Sequence, residues 1–165
     1  MVLRILKSWS AQPATLRIEG ENVYLRPIQD RDWRAWSELR GASRAFLEPW
    51  EPLWPPDALS RLSYRRRLDQ AIGELKSETG YPFHIIRRRD EQLLGGVTMS
   101  NVRRSVAQSA TLGYWIAASH EGRGIMTAAC RAVVRHAFTA YELNRIEIRC
   151  ATGNKRSRSV AERLG

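Results

Sequence analysis

Two glycines flank an arginine at the point where a predicted strand is followed by a predicted helix. The segment reads Tyr114-Trp-Ile-Ala-Ala-Ser-His-Glu-Gly-Arg-Gly-Ile-Met-Thr127, with Gly122 and Gly124 directly before the helix. Glycine lets backbone N–H groups turn toward a ligand, and the start of a helix carries about half a positive charge. Arg123 adds a fixed cation beside them. The segment predicts a diphosphate-binding turn, and the open alternative is an ordinary strand-to-helix turn.

Other site chemistries fit the sequence less well. No Gly-Lys-Ser/Thr follows the glycines, which excludes a P-loop, and the third glycine of a dinucleotide fingerprint is missing. His84, His120 and His136 are too scattered for a metal site, so we expect no metal. Cys130 and Cys150 are predicted to lie in the core and to take no part in catalysis.

The elements that position this turn follow from hydrophobic periodicity. Alternating apolar residues predict strands, and apolar spacings of three and four residues predict helices. Gly95-Gly96 indicates a bulge or a close backbone approach, and four prolines within 46–56 exclude regular structure there. The order is strand, two helices, three strands, helix, strand, helix, a mixed α/β domain. Strands are predicted at 22–28, 83–86, 92–100, 109–117 and 145–151, and helices at about 30–40, 56–79, 124–141 and 154–164.

The same periodicity predicts which side chains face the core. Three elements give specific sets. These are Leu59, Leu62, Leu68, Ile72 and Leu75 in the second helix, Met126, Ala129, Val133, Ala137 and Phe138 in the third, and Ile146, Ile148 and Cys150 in the last strand.

The length and composition of the chain exclude several classes of protein. The chain has 165 residues with 27 Lys+Arg against 17 Asp+Glu, a formal net charge of +10, which favours polyanionic partners. Its length fits one domain, and 43% hydrophobic content excludes a wholly disordered chain. No apolar run approaches the roughly 20 residues of a membrane span, and the first residues lack the apolar region of a signal peptide. We therefore expect a cytoplasmic protein with no membrane partner.

Several motifs follow one another in a recognisable order. Glu121-Gly-Arg-Gly-Ile-Met126 resembles the acetyl-CoA loop, Gln/Arg-x-x-Gly-x-Gly/Ala, of the GNAT acetyltransferases. The set is similar to the ribosomal-protein N-terminal acetyltransferases of the RimJ/RimL group through Leu112-Gly-Tyr-Trp-Ile, Asn144-Arg-Ile-Glu and Asn154-x-x-Ser157. It is similar to the RimJ branch through Phe46-Leu-Glu-Pro-Trp-Glu-Pro52 and Ser100-Asn-Val102. The resemblance implies an N-acetyltransferase domain at 21–165 after an N-terminal extension at 1–20.

The resemblance also implies a fold and a cofactor. It implies a GNAT-like acyl-CoA N-acyltransferase fold with a central, mostly antiparallel sheet, flanking helices and a splayed strand pair at the cofactor site. Acetyl-CoA is then the co-substrate. In relatives the chain continues past the position of Leu164-Gly165 into a final strand pair, so the C-terminal strands are expected to be missing and a sheet edge open.

Roles for single residues follow from the same resemblance. Ser157 would protonate the departing thiolate, and Asn154 would contact the cofactor arm. Backbone groups of Trp115, Ile116 and Ala117 would face the pantetheine arm. The diphosphate would be held by the backbone of Gly122, Arg123, Gly124, Ile125, Met126 and Thr127.

The implied reaction is acetyl transfer to a protein N-terminal α-amine, of a ribosomal protein with an alanine-type N-terminus, by direct attack in a ternary complex. An α-amine has a pKa near 8, so an appreciable fraction is neutral at cellular pH, whereas lysine needs more help. Glu48, Trp50 and Glu51 of the proline-rich loop are candidate acceptor contacts. The general base is open between Glu48, Glu51 and a water relay.

Two other functions remain open. The same fold would serve to acetylate a small amine such as an antibiotic, a polyamine or an amino acid. A basic chain would also serve as an RNA-binding module without turnover. The arginine runs at 65–67, 87–89 and 103–104 would suit docking on a ribosome or RNA. The sequence leaves the acceptor and the oligomeric state open.

Overall fold

Strands and helices alternate along residues 16–165, the part of the chain that a computed structural model describes. The strands are β1 (Ile18–Glu19), β2 (Val23–Pro27), β3 (Tyr81–Arg87), β4 (Leu93–Arg103), β5 (Ser109–Ile116) and β6 (Arg145–Ile148). The helices are α1 (Trp33–Ala42), α2 (Arg44–Leu47), α3 (Arg61–Ser77), α4 (Ile125–Thr139) and α5 (Lys155–Glu162). The mixed α/β class is confirmed, and the elements follow the predicted order apart from the two-residue β1 and the short α2, which were not predicted.

The strands of the described residues form one sheet in the order in which they occur in the chain. Neighbours are antiparallel from β1 to β5, because each pair is joined by a turn or by helices that return the chain. Only β6 runs parallel to its neighbour β5, since α4 crosses over between them. The mostly antiparallel sheet is therefore also confirmed.

Side chains alternate across the strands and build a separate core on each face of the sheet. On one face Leu25, Phe83, Val97 and Leu112 pack against α4, including its Val133, and all are buried. The opposite face packs against α1 and α3 through a smaller cluster, Tyr24, Trp36, Tyr64, Ile86 and Leu93. Each β5 side chain therefore faces either the α4–α5 layer or the α1–α3 layer.

The glycine pair of β4 is required by the close approach of Trp115 in β5. A Cβ on Gly96 would lie 2.6 Å from Trp115 Nε1, and one on Gly95 would overlap the Trp115 carbonyl oxygen. The pairing of β3 with β4 shifts register between Ile85 and Ile86, opposite this point. Both the close approach and the local irregularity predicted for Gly95-Gly96 are thus confirmed.

Two predicted core faces are partly wrong. In α3, Leu62 is 58% exposed and Ile72 is 37% exposed. The face turned inward instead carries Tyr64, Leu68, Ala71 and Leu75, whose spacings of four, three and four residues define one stripe. Leu59 also packs against the smaller cluster. In α4, Phe138 is 44% exposed, because it lies about 100° around the helix from the buried Ala137.

The last strand and the proline-rich loop also differ from prediction. β6 ends at Ile148, so the alternation of Ile146 and Ile148 does not extend to Cys150, which is exposed rather than in the core. The loop 46–56 contains the end of α2 and a short 3-10 turn, Glu48–Trp50, with its proline at the start, where a missing N–H costs nothing.

The predicted N-terminal extension lies mostly outside the described residues. Of residues 1–20, only 16–20 are described; Ile18 is buried in the larger core and pairs with Leu25. None of the helices within residues 16–165 combines the length and the apolar character needed to cross a membrane.

Candidate active site

A wedge-shaped opening lies between the two parallel strands. The last pair that joins β5 to β6 is Leu112 with Ile148, yet β5 continues to Ile116, still paired with β4 on its other side. The chain leaves the sheet after Ile148 and turns into α5. The backbone of β5 from Gly113 onward is therefore unpaired on its β6 side, which is the predicted splayed strand pair.

The glycine turn lies at the end of this opening. Gly122 and Gly124 both have φ of +72°, a backbone conformation that glycine adopts readily, and Gly124 is the residue before the first turn of α4. A Cβ on either glycine would meet no atom within 4 Å, so both face open space. Arg123 between them is exposed, Ile125 is half-buried, and Met126 and Thr127 are buried and anchor the helix start.

The amides of this turn are available to a ligand. None of the six N–H groups from Gly122 to Thr127 donates a hydrogen bond of normal geometry to another of residues 16–165. The first hydrogen bond of the helix begins one residue later, from Ala128 N–H to Gly124 O at 3.0 Å. The first turn of α4 carries no acidic side chain. Free amides and the helix dipole together favour an anion.

Backbone N–H groups anchor the end of β5 to β4 and to the residue between α1 and α2. Ala117 N–H donates to Leu94 O at 3.0 Å, and Ala117 O accepts from His120 N–H at 2.9 Å. Ala118 N–H donates to the buried Ser43 Oγ at 3.1 Å. Because alternate residues of a strand direct their backbone groups to opposite sides, Trp115 faces β4 as Ala117 does, and Ile116 is the strand position with the better access to a ligand.

Ser157 lies beside the opening in the first turn of α5. Its N–H donates to Asn154 Oδ1 at 3.0 Å, so Asn154 is the N-cap of α5. The Tyr114 hydroxyl donates to Ser157 O at 2.9 Å, and Ser157 Oγ–H donates to the Tyr114 oxygen at 3.0 Å. Burial raises the pKa of Tyr114. The structure thus brings Asn154 and Ser157 to one place and adds Tyr114, which the sequence analysis missed.

The overall assignment is settled by comparison with known proteins. The sequence model of the family described as Acetyltransferase (GNAT) domain matches residues 22–165. The chain belongs to the GNAT acetyltransferase family. The resemblance drawn from its motifs and the identification as an acyltransferase are confirmed.

Individual relatives of this GNAT acetyltransferase agree. "Probable N-acetyltransferase YjcK" of Bacillus subtilis (strain 168) is 31% identical over 148 residues, 90% of this chain and 82% of that protein. The ribosomal protein uS5-alanine N-acetyltransferase of Escherichia coli (strain K12) is 28% identical over 151 residues, 91% of this chain and 77% of that protein. The structure of Mycobacterium smegmatis RimJ in complex with CoA-disulfide has a TM-score of 0.81 and 35% identity, covering 89% of this chain and 72% of that one.

The proline-rich loop of this GNAT domain lies against the opposite side of the opening. A Cβ on Gly153 would be 3.8 Å from the Trp50 ring, so Trp50 reaches the turn that precedes α5. Glu51 binds Arg40 in an ion pair and accepts a hydrogen bond from Trp54 Nε1 at 2.8 Å. Glu48 is paired with Arg44 at 2.7 Å. Both carboxylates are therefore occupied by cations.

Arg40 is a second residue that the sequence analysis missed. Its guanidinium carbon lies 4.5 Å from the Trp54 ring centroid, 4.9 Å from Trp115 and 5.7 Å from Trp36. This arginine links α1 and the proline-rich loop to the end of β5. The six tryptophans of the chain were a signal, because guanidinium groups stack well on indole rings, but their spacing does not show which arginine they surround.

His84 is held in a buried pair. His84 Nδ1 is 2.9 Å from Asp32 Oδ2, and Asp32 also binds Arg26. Burial lowers the pKa of His84, whereas the hydrogen bonds from Arg26 and His84 outweigh burial and hold the pKa of Asp32 far below its usual range. Within residues 16–165 no group of three or more His, Cys, Asp or Glu side chains is arranged to hold a metal ion.

Proposed function

We propose that this GNAT acetyltransferase transfers the acetyl group of acetyl-CoA to the N-terminal α-amine of a protein in the cytoplasm, with a ribosomal protein as the candidate acceptor. The free amides at the start of α4 carry the proposal. Six N–H groups from Gly122 to Thr127 lack partners within the described residues and line the end of the opening beside β5. Such a row of donors fits the diphosphate of coenzyme A.

The remaining cofactor contacts follow from the same placement. The pantetheine arm would run along the unpaired side of β5, where Ile116 offers backbone groups in place of the missing strand and Trp115, whose backbone faces β4, flanks it. The Asn154 side-chain oxygen caps α5, which leaves its amide N–H groups for the arm. This arrangement would bring the thioester to Ser157. The M. smegmatis RimJ structure, a complex with CoA-disulfide, supports coenzyme A as the ligand.

The reaction needs few protein groups. The neutral amine attacks the thioester carbonyl, a C–N bond forms, and β5 amides stabilise the oxyanion. The C–S bond then breaks, its electron pair goes to sulfur, and the Ser157 hydroxyl passes a proton to the thiolate while it regains one from solvent, which takes up the proton that the amine loses. Because a free thiol has a pKa of about 8.5, thiolate is already a tolerable leaving group. Positioning supplies the remaining rate enhancement in a ternary complex, without a covalent enzyme intermediate.

The amine loses its proton through water in this scheme. Glu51 is held by Arg40 and Trp54, and Glu48 by Arg44, so neither carboxylate is free to act as a base. An α-amine with a pKa near 8 needs only a relay to solvent. This favours an N-terminal amine over a lysine side chain, and the uS5-alanine N-acetyltransferase among the relatives points to ribosomal acceptors.

A thiol-release assay tests the proposal. The full-length protein is supplied with acetyl-CoA and peptides that begin with Ala, Ser or Met, and free coenzyme A is titrated with a thiol reagent. We expect release with at least one class of N-terminus, strongest for Ala, and none with the same peptides already N-acetylated. Release with polyamines or aminoglycosides but no peptide would contradict the acceptor assignment. Calorimetry showing no uptake of coenzyme A would contradict the transferase assignment.

A further inference from the structure

The side chain of Glu121 places a carboxylate directly before the free amides of the glycine turn. Its neighbour Gly122 begins the row of unpaired N–H groups, and the carboxylate side chain is 32% exposed. Glu121 is also the only Asp or Glu from 92 to 141, a range that covers β4, β5 and α4. Because like charges repel, an unpaired carboxylate here would oppose the diphosphate that the amides would bind.

Arg156 of α5 neutralises this carboxylate. Arg156 Nε lies 2.5 Å from Glu121 Oε1, and the guanidinium carbon lies 5.5 Å from the ring centroid of Phe46 in α2. The guanidinium group is therefore held between an acid and an aromatic ring. The ion pair joins α5, which carries Ser157, to the turn that precedes α4.

The position of Arg156 is unfavourable for the helix that carries it. A helix start has a partial positive charge, and the first turn of α5 has no acidic side chain to balance Lys155 and Arg156. The ion pair with Glu121 is also open to solvent, because the Arg156 side chain is 69% exposed, and such pairs contribute little to stability. The stability of the fold gives little reason for this arginine, whereas the charge of the glycine turn gives one.

Arg156 determines the sign of the side-chain charge at the glycine turn. Glu121 and Arg123 flank Gly122 with opposite charges, so these two side chains alone cancel. With Arg156 held on Glu121, two cations face one anion, and the side chains attract a diphosphate together with the amides and the helix dipole. Without Arg156 this attraction is left to the backbone.

We propose that Arg156 is a positioning residue for coenzyme A, which acts by neutralising and holding the Glu121 carboxylate beside the diphosphate site. The proposal rests on the proposed function, because it takes coenzyme A as the ligand of the glycine turn. It gives the two residues opposite effects on affinity, since the arginine raises it and the carboxylate lowers it. A bridge that merely fastened α5 to the turn would give both residues the same effect, because the loss of either one breaks the bridge.

Titration calorimetry with coenzyme A separates these two explanations. Arg156→Gln should weaken binding about tenfold, because the unpaired carboxylate then repels the diphosphate. Glu121→Gln should strengthen binding about threefold, because Arg156 is then free to attract the diphosphate. The double variant, which lacks both charges, should bind within about twofold of the wild type. A merely mechanical bridge predicts instead that all three variants bind more weakly than the wild type.

Arg158→Gln is the matched control, because it removes the same charge from the same helix, where Arg158 pairs with Glu162 at 2.8 Å. At about 0.15 M salt it should change the affinity by less than about twofold. All variants should melt close to the wild type, since exposed ion pairs contribute little to stability. Unchanged binding in Arg156→Gln, or weaker binding in Glu121→Gln, would overturn the role of Arg156. A wild type that takes up no coenzyme A would contradict the proposed function instead, so the two failures are distinguishable.

Discussion

Tyr114 and Ser157 are joined by two hydrogen bonds, at 2.9 and 3.0 Å, beside the opening in the sheet. The Ser157 N–H is held by Asn154 and its C=O by Tyr114, so the hydroxyl is the one polar group of Ser157 left to turn. Removing the phenol should misplace that hydroxyl. We expect Tyr114→Phe to lower kcat about tenfold, less than the roughly 10²–10⁴ of a directly acting acid, with little change in the KM for acetyl-CoA.

A double-mutant cycle separates this effect from lost packing. If Tyr114 acts through Ser157, Tyr114→Phe should cause no further loss of kcat in a Ser157→Ala background. Tyr64→Phe is the control, because the Tyr64 hydroxyl also donates to a backbone oxygen, Gln29 O at 2.8 Å, on the other face of the sheet. It should cost about 1 kcal/mol of stability and leave kcat unchanged. Additive losses at Tyr114 and Ser157 would argue against the coupling.

His84 makes the stability of the fold depend on pH. Burial lowers the pKa of His84 in the folded protein. In the unfolded chain, where its pKa is 6.5, the imidazole therefore binds a proton at a higher pH than in the folded protein. The free energy of unfolding therefore has its full value above pH 6.5. It decreases as the pH drops below 6.5, by up to about 1.4 kcal/mol per pH unit. Urea unfolding at pH 7.5 and 5.5 should show a smaller difference for His84→Gln than for the wild type. The remaining slope would come from His120 and His136, whose pKa values burial also lowers.

At the scale of elements, β4 approaches β5 closely at Trp115, beside the open end of β5. Gly95→Ala would push its Cβ into the Trp115 carbonyl oxygen, a backbone atom that cannot rotate away. We expect a loss of about 1–3 kcal/mol in the free energy of unfolding, together with weaker binding of coenzyme A. Gly113→Ala in β5 is the control, because a Cβ there meets nothing within 4 Å and should change stability by less than about 0.5 kcal/mol. Equal stability of both variants would disprove the close-approach argument.

Element order was predictable from sequence because the strands carry clean alternation and α4 and α5 begin with glycine and asparagine signals. The inward face of α3 was not, since Leu62 and Ile72 are apolar but lie off the stripe that Tyr64 and Ala71 define. Cys150 was misplaced because alternation cannot show where a strand leaves its sheet. Likewise, Tyr114 reads as an ordinary strand residue until α5 is placed beside it.

For the whole molecule, the net charge of +10 should act on every anionic ligand. Salt at 0.15 M reduces the reach of surface charges to about 8 Å, so long-range attraction is lost as ionic strength rises. We expect the KM for acetyl-CoA to increase several-fold between low and high salt, while kcat at saturation stays nearly constant. If the KM does not respond to salt, the net charge does not contribute to binding, and the electrostatic attraction comes from the amides of the glycine turn alone.

The sequence motifs were more informative about the function of the whole molecule than its net charge was. The Gly-Arg-Gly turn and Asn154-x-x-Ser157 are about thirty residues apart, and their ordered resemblance predicts that both serve one cofactor site. The contacts of Arg40 were harder to predict, because Trp36, Trp54 and Trp115 come from α1, the proline-rich loop and β5. Only the folded sheet and helix layer bring them together.

The divergence of β5 from β6 makes the coenzyme a structural partner as well as a reactant. In the free protein, amides on the open side of Gly113 to Ile116 have no strand to shield them from water. They should exchange hydrogen for deuterium quickly, while those paired with β4 exchange slowly. Saturating coenzyme A would slow exchange at those positions and at Gly122 to Thr127, raise the melting temperature, and leave α3 unaffected.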